Sequence, residues 1–209
     1  MSGGPAAIDL KKLLPGYSAR PGRFEVLTLP PARFLMIDGH GDPNSSPAYA
    51  AALATLFPVA YRLKFLSRDE LGRDYVVMPL EALWWADDMD SFTSARDKSR
   101  WSWTAMIGTP DWLTADHVAA ARDAVGRKGG TPALSDLRFD TLTEGLVVQT
   151  LHLGSYDDEG PVLATLHHEF LPSESLVPSG KHHEVYLNDA RRTPPEKLRT
   201  ILRQPVARG

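Results

Sequence analysis

"TLTEGLVVQTLHLG", residues 141 to 154, is an apolar strand that ends in a glycine, Gly154. "RFLMIDGHG", residues 33 to 41, ends the same way in Gly41. A helix signal follows each. After Gly154, "SYDDEGPVLATLHHEF" supplies capping acids and a proline, with Leu163, Leu166 and Phe170 on one helical face. After Gly41, "NSSPAYAAALATLF" offers Ser46 as a cap and Pro47 at the first helical position. Tyr49, Leu53, Leu56, Phe57, Ala60 and Tyr61 then recur at helical spacing and predict one buried stripe. Pro58 lies inside that stripe, so the helix is expected to kink there or end early.

Strands come next in both places. "YVVMPLEALWW" and "RWSWTAMIG" are strand candidates separated by a charged turn region at 86 to 100. In the second half "HHEVYLND" holds the corresponding place, before a last helix from "TPPEKLRTIL", capped by Thr193, and a closing strand at "LRQPV". The order strand, helix, strand, strand thus appears twice, at an offset of roughly a hundred residues, which suits a pseudo-symmetric pair better than a solenoid. The fold class predicted is α+β: duplicated halves at 23–110 and 135–209, a linking helix at 114–127, and antiparallel sheets covered by helices on one face. A pseudo-two-fold of that kind leaves a central ligand cleft between the halves. Ahead of Ala32, Pro30 and Pro31 interrupt an apolar run, giving an edge strand, a bulge or two short strands. Residues 1–22 carry a short amphipathic hint at Ile8, Leu10, Leu13 and Leu14, then prolines and glycines, and read as an arm packed on the domain 23–209.

The composition narrows the function classes. A formal charge of -3 over 209 residues, with no long basic run, argues against general nucleic-acid or anionic-membrane binding. The absence of cysteine excludes disulfides, a thiolate nucleophile and cysteine-ligated zinc. No apolar run suits a signal peptide or a membrane span, so a cytoplasmic protein is expected. No phosphate loop, nucleophile elbow or dinucleotide fingerprint is present, and no cofactor is implied. Nothing in the sequence sets an oligomeric state.

All five tryptophans fall within residues 84 to 112. Strand parity puts Trp101, Trp103, Ala105 and Ile107 on one face and sends Trp84 and Trp85 to opposite faces. This cluster is either a satellite core or the wall of a pocket for a flat or cationic ligand. Glu81 shares parity with Trp85, and Tyr75 begins the same segment. In "HHEVYLND", His182, Glu184, Tyr186 and Asn188 face one way and His183, Val185 and Leu187 the other. The two histidines diverge, and neither they nor "HHEF" at 167–170 match the helical zinc-protease spacing, so no metal is expected. Glu184 is a plain surface acid if its face meets solvent. If that face lines the cleft, it is a part-buried carboxylate able to take a proton from water or pair with a cation. Parity leaves both readings open. Val148, Thr150 and His152 share a face, Gln149 reads as hydrogen-bonded structure, Tyr156 sits at a helix entrance, and Asp157, Asp158 and Glu159 suit a helix N-terminus.

Taken together, "PLEALWW", "WSWTAMIGTPDW", "EGLVVQTLHLGSYDDEG" and "HHEVYLNDARRTPPEKLRTILRQPV" resemble the stand-alone GyrI-like small-molecule-binding proteins, from about residue 24 onward. That resemblance implies a duplicated strand-helix-strand-strand fold with a central cleft. Related domains sit in multidrug-sensing regulators where a buried glutamate meets cationic aromatic drugs, and Glu184 is the matching position. Too little sequence precedes residue 24 for a helix-turn-helix, so a DNA-acting regulator is not expected. The double tryptophan and "HHEVYL" resemble the subgroup that hydrolyses cyclopropane-containing DNA-alkylating antibiotics of the duocarmycin and yatakemycin type. The leading expectation is a hydrolase with Glu184 as base, Glu159 or Glu81 as a second acid, and Tyr156 and Tyr186 orienting water or ligand; the resemblance itself does not fix which carboxylate acts. Trp84, Trp101, Trp103, Tyr75, Glu81 and His152 are expected around a small aromatic or cationic ligand. A non-catalytic drug or metabolite binder is the alternative; a role towards gyrase is suggested by the family name alone.

Overall fold

In the computed structural model the structure describes residues 6–86 and 97–209. Most of the expected charged turn at 86 to 100 lies outside the described residues. Nine strands are described: β1 (Glu25–Leu29), β2 (Ala32–His40), β3 (Leu80–Trp85), β4 (Ser102–Thr109), β5 (Arg138–Leu142), β6 (Gly145–Leu153), β7 (Leu176–Pro178), β8 (His182–Tyr186) and β9 (Arg199–Arg208). The main helices are α1 (Pro47–Leu71), α2 (Ala115–Gly126) and α3 (Gly160–Thr165).

The strands form one antiparallel sheet in the order β1-β6-β9-β8-β3-β4-β2-β5, with β7 on β9. The sheets of the two halves are joined by the pairing of β3 with β8, with Trp84 opposite His182 and Ala82 opposite Glu184. The first half splits at its prolines into two strands, one of the expected arrangements, and the second half has two strands more than expected, β5 and β7. The proline pair separates β1 from β2, and "TLTEGLVVQTLHLG" breaks between Leu142 and Gly145 into β5 and β6. These strands cross over, β1 onto β6 and β5 onto β2. Gly41 follows β2 and Gly154 follows β6, with φ of +98° and +134°, conformations that favour glycine.

Ser46 caps α1 by accepting from the Tyr49 amide, and Pro47 starts it. The helix runs on through Pro58 rather than ending there. A proline in mid-helix costs roughly 3 kcal/mol. Burying Leu56, Val59, Leu63 and Leu66 offsets it, at about 1.5–3 kcal/mol for each side chain. The expected helix at "TPPEKLRTIL" is a single 3-10 turn, Pro195–Lys197, before β9. From Arg199 the side chains alternate between the two faces, and pairing to both β6 and β8 makes a central strand the better use of that segment.

α1 covers β2 and β4 through Leu35, Ile37, Ala105 and Ile107. A second cluster, Val148, Leu166, Leu171, Leu176 and Val206, lies under the helical segment 156–173 on the same face of β6 and β9. Leu163 does not join Leu166 in that core. A π-helical turn at Leu166–Phe170 shifts the phase, so Leu166 and Leu171 are the buried pair. With one helical layer over each half, the middle of the sheet, β3 and β8, stays open on that face. The reverse face is closed by residues 6–22: Ile8 bridges Tyr75, Pro21 bridges Leu151, and Tyr17 and Ala19 pack against Leu151, Val185 and Ile201.

Candidate functional site

A cavity of about 1540 Å³ occupies the gap between the two helical layers. Its floor follows from the pleat of β8, which turns His182, Glu184 and Tyr186 inward and His183 and Val185 to the reverse face. Ala82, opposite Glu184, carries only a methyl group and leaves the hollow unfilled. Tyr49, Leu53, Phe57 and Tyr61, each four residues on from the last, form the α1 wall. Tyr156, Glu159, Leu163 and His167 form the facing wall. Lys98, bonded to Asp157 at 2.9 Å, and Lys181, 3.1 Å from the Trp85 ring centroid, stand at the rim.

Glu184 is 8% exposed. Its Oε2 accepts a 2.7 Å hydrogen bond from the Tyr186 hydroxyl, which in turn accepts from Trp84 Nε1 at 3.0 Å. Its Oε1 lies 3.4 Å from His182 Nε2. Among the described residues no lysine or arginine pairs with this carboxylate. Tyr156 stands edge-on to Tyr186 with ring centroids 5.5 Å apart, and Trp101 stands edge-on to Trp84 at 5.7 Å. Burial, then the charges of Glu184 and Glu159, push the Tyr156 hydroxyl up to about 12. Burial and the Glu184 charge also raise Tyr49. Both phenols are therefore donors at neutral pH. Glu159, 4% exposed, acts on the same tyrosines as Glu184, so two carboxylates converge there. Burial, with His182 and His168 nearby, holds the His167 imidazole down to about 4.

Glu184, Glu159, Tyr156, Tyr186, Trp84 and Trp101 thus come together, and four other expected residues do not. Trp103 is in the core under α1, over Gly39, where a Cβ would stand 2.2 Å from the indole. Tyr75 is buried against Trp112 and the N-terminal arm. His152 turns back at the helix entrance to the Ser155 carbonyl, at 2.9 Å. Glu81 does share parity with Trp85, but that face is the reverse of the sheet. There Glu81 accepts from Tyr17 at 2.6 Å and lies 2.9 Å from His183 Nε2. His183 Nδ1 is 2.9 Å from Glu144, which also accepts from Arg203 at 2.9 Å. Ionised carboxylates only accept, so a ring with an acid on each nitrogen is an imidazolium. Gln149 accepts from Arg203 and donates to the Ser18 carbonyl, as a buried amide should.

Sequence reasoning placed Tyr49, Leu53, Phe57 and Tyr61 in the core; they form a second stripe beside Ala52, Leu56, Val59 and Leu63. The signal was three aromatic residues and a leucine at a spacing of four. Among the described residues no cluster of three or more His, Asp or Glu could hold a metal ion, and no helix is long and apolar enough to cross a membrane.

A single antiparallel sheet, helical layers on one face and an aromatic hollow between them define a small-molecule-binding domain. Residues 23–207 match the GyrI-like small molecule binding domain, and the chain belongs to that family. An uncharacterized conserved protein from Listeria innocua is 34% identical and superposes with a TM-score of 0.86, over 96% of this chain and 100% of that one. Two structures of hydrolases from the same organism are 32% and 31% identical, with TM-scores of 0.80 and 0.85. They cover 96% and 97% of this chain and 100% of their own. No curated protein matches the chain.

Proposed function

We propose that this protein binds flat, aromatic, electrophilic small molecules in the cavity and hydrolyses a strained cyclopropane ring with Glu184 as the base. The observation that carries the reading is the Glu184 carboxylate, buried in an aromatic hollow with one oxygen fixed by Tyr186 and no lysine or arginine bonded to it among the described residues. A carboxylate so placed takes a proton from water as the water oxygen bonds to a ring carbon. The strained carbon–carbon bond breaks, and its electron pair moves into the conjugated carbonyl, leaving an oxyanion. Tyr49 and Tyr156, protonated at neutral pH, are the hydrogen-bond donors for that oxyanion. Trp84 and Trp101 supply ring faces and edges for the flat ligand. Glu159 is the second acid of the pair. Two relatives at 31–32% identity are hydrolases, in keeping with this chemistry.

The test is turnover of a cyclopropane-bearing dienone by the wild type and by Glu184→Gln. Loss of a general base costs about a hundred- to ten-thousand-fold, and equal rates remove Glu184 from the mechanism.

A second reading is sequestration or sensing without chemistry, with Glu184 offsetting the charge of a cationic aromatic ligand. The lack of a bonded lysine or arginine favours it equally. Saturable quenching of tryptophan fluorescence by a cationic dye, with no product formed from the dienone, selects this reading.

A further inference from the structure

A base that takes a proton from water must lose it before the next turnover. Among the described residues two side chains touch Glu184, Tyr186 and His182. Tyr186 has no capacity to accept that proton. Its hydroxyl hydrogen is committed to Oε2, its oxygen already accepts the Trp84 indole N–H, and burial followed by the Glu184 charge holds the phenol in its neutral form. His182 is different. Its Nε2 faces the other carboxylate oxygen at 3.4 Å, it is 4% exposed, and it lines the cavity directly opposite Trp84 on β3.

We infer that His182 is the proton carrier of Glu184, accepting at Nε2 the proton that the carboxylate removes from water. The inference rests on Glu184 acting as base, as proposed above. For Nε2 to accept, the neutral ring carries its hydrogen on Nδ1. The charged groups around His182 suit this role. The Glu184 carboxylate lies beside its Nε2. His167, presented from the π-helical turn of 166–170, stays neutral at pH 7 and sets no competing charge beside it. The proton count closes: water gives one proton to Glu184 and on to His182, the oxyanion takes one from solvent as product leaves, and His182 returns its own to solvent. Nothing is consumed beyond the one water that adds to the substrate. His182 is thus a second participant in the chemistry, and its neighbour His183, facing the reverse side, is not.

The experiment compares wild type, His182→Gln, His182→Ala and Glu184→Gln on the cyclopropane-bearing dienone. Both His182 variants are expected to lose about a hundred-fold in kcat with KM unchanged. Added imidazole restores kcat in His182→Ala, more strongly as rising pH deprotonates the imidazole, and does not restore Glu184→Gln. Wild type in mixed H₂O and D₂O gives a curved dependence of kcat on deuterium fraction, because two protons move. That measurement needs no variant to fold. A linear dependence, wild-type kcat in His182→Gln, or a kcat lost in His182→Ala that imidazole leaves unchanged overturns the carrier while an inactive Glu184→Gln keeps the base. Full activity of Glu184→Gln, or no turnover by the wild type, overturns the base and the carrier with it.

Discussion

His183 and Glu184 are neighbours in the chain whose side chains leave opposite faces of the same strand. One is locked between Glu81 and Glu144 on the closed face; the other lies in the cavity beside Tyr186. The cavity floor is therefore backed by a buried ionic network, and the N-terminal arm completes it. Arg203 donates to the Gly16 carbonyl, Gln149 to the Ser18 carbonyl, and Tyr17 to Glu81. These three bonds tie the arm to β3, β6 and β9.

The Tyr17 hydroxyl gives the first prediction. Tyr17→Phe leaves Glu81 Oε1 buried without its 2.6 Å donor. A hydrogen bond to a charged group contributes about 1.5–3 kcal/mol, and urea denaturation should show a loss of that size. Ligand quenching of tryptophan fluorescence should stay the same, because Tyr17 and the cavity lie on opposite faces. A loss of binding larger than the loss of stability refutes this division of the two faces.

The same network fixes how stability varies with pH. Burial works against the charge of Glu144, but His183 and Arg203 outweigh it and hold the carboxyl down to about 2. Its contribution is present above the ordinary value of 4.5 and is lost as pH falls towards 2. Burial likewise pulls His183 down, and Glu144 with Glu81 raises it above 6.5 despite Arg203. That contribution is complete below 6.5 and is lost as pH climbs through the raised folded value. Urea midpoints should therefore fall on both sides of a central plateau. Glu144→Gln should flatten the acid limb, which carries about 3 kcal/mol, and a steep acid limb surviving in that variant contradicts the assignment.

Much of this was legible in the sequence, and the misses have physical causes. Alternation within "HHEVYLND" divided His182, Glu184 and Tyr186 from His183 correctly, because parity along a strand is local. Which face was the cleft was not local. It depended on where residues 6–22 fold back, and that is why Glu81 was expected in the wall yet lies under the arm. The β5 and β6 crossovers were missed for the same reason, since a strand's partner is chosen by tertiary packing. On α1, the buried stripe and the cavity stripe sit side by side, and periodicity alone merged them into one.

Tyr186 links the wall to the base. Tyr186→Phe keeps the ring against Tyr156 but removes both the donor to Glu184 and the acceptor for the Trp84 indole. The carboxylate is then free to rotate away from the attacking geometry. A displacement of about 1 Å at a reacting group costs up to roughly a hundred-fold. The expected outcome is a drop of that order in kcat with ligand affinity largely kept. Unchanged kcat refutes the claim that the Trp84–Tyr186–Glu184 chain positions the base.

Leu56 and Phe57 give the sharpest test of the two stripes on α1, because they are adjacent and have different duties. Leu56 is fully buried in the core, whereas Phe57 is half-buried and lines the cavity. Leu56→Ala removes packed methyl groups from a site that closes only in part, at about 2–5 kcal/mol of stability. Its effect on ligand affinity should be small, measured where the variant is still folded. Phe57→Ala should cost little stability, since part of its ring already meets solvent. It should weaken an aromatic ligand by roughly 0.5–1.5 kcal/mol, up to about tenfold in Kd. Denaturation and fluorescence titration on the two variants separate the roles. If both lose stability and neither loses affinity, the wall of the cavity is not where α1 places it.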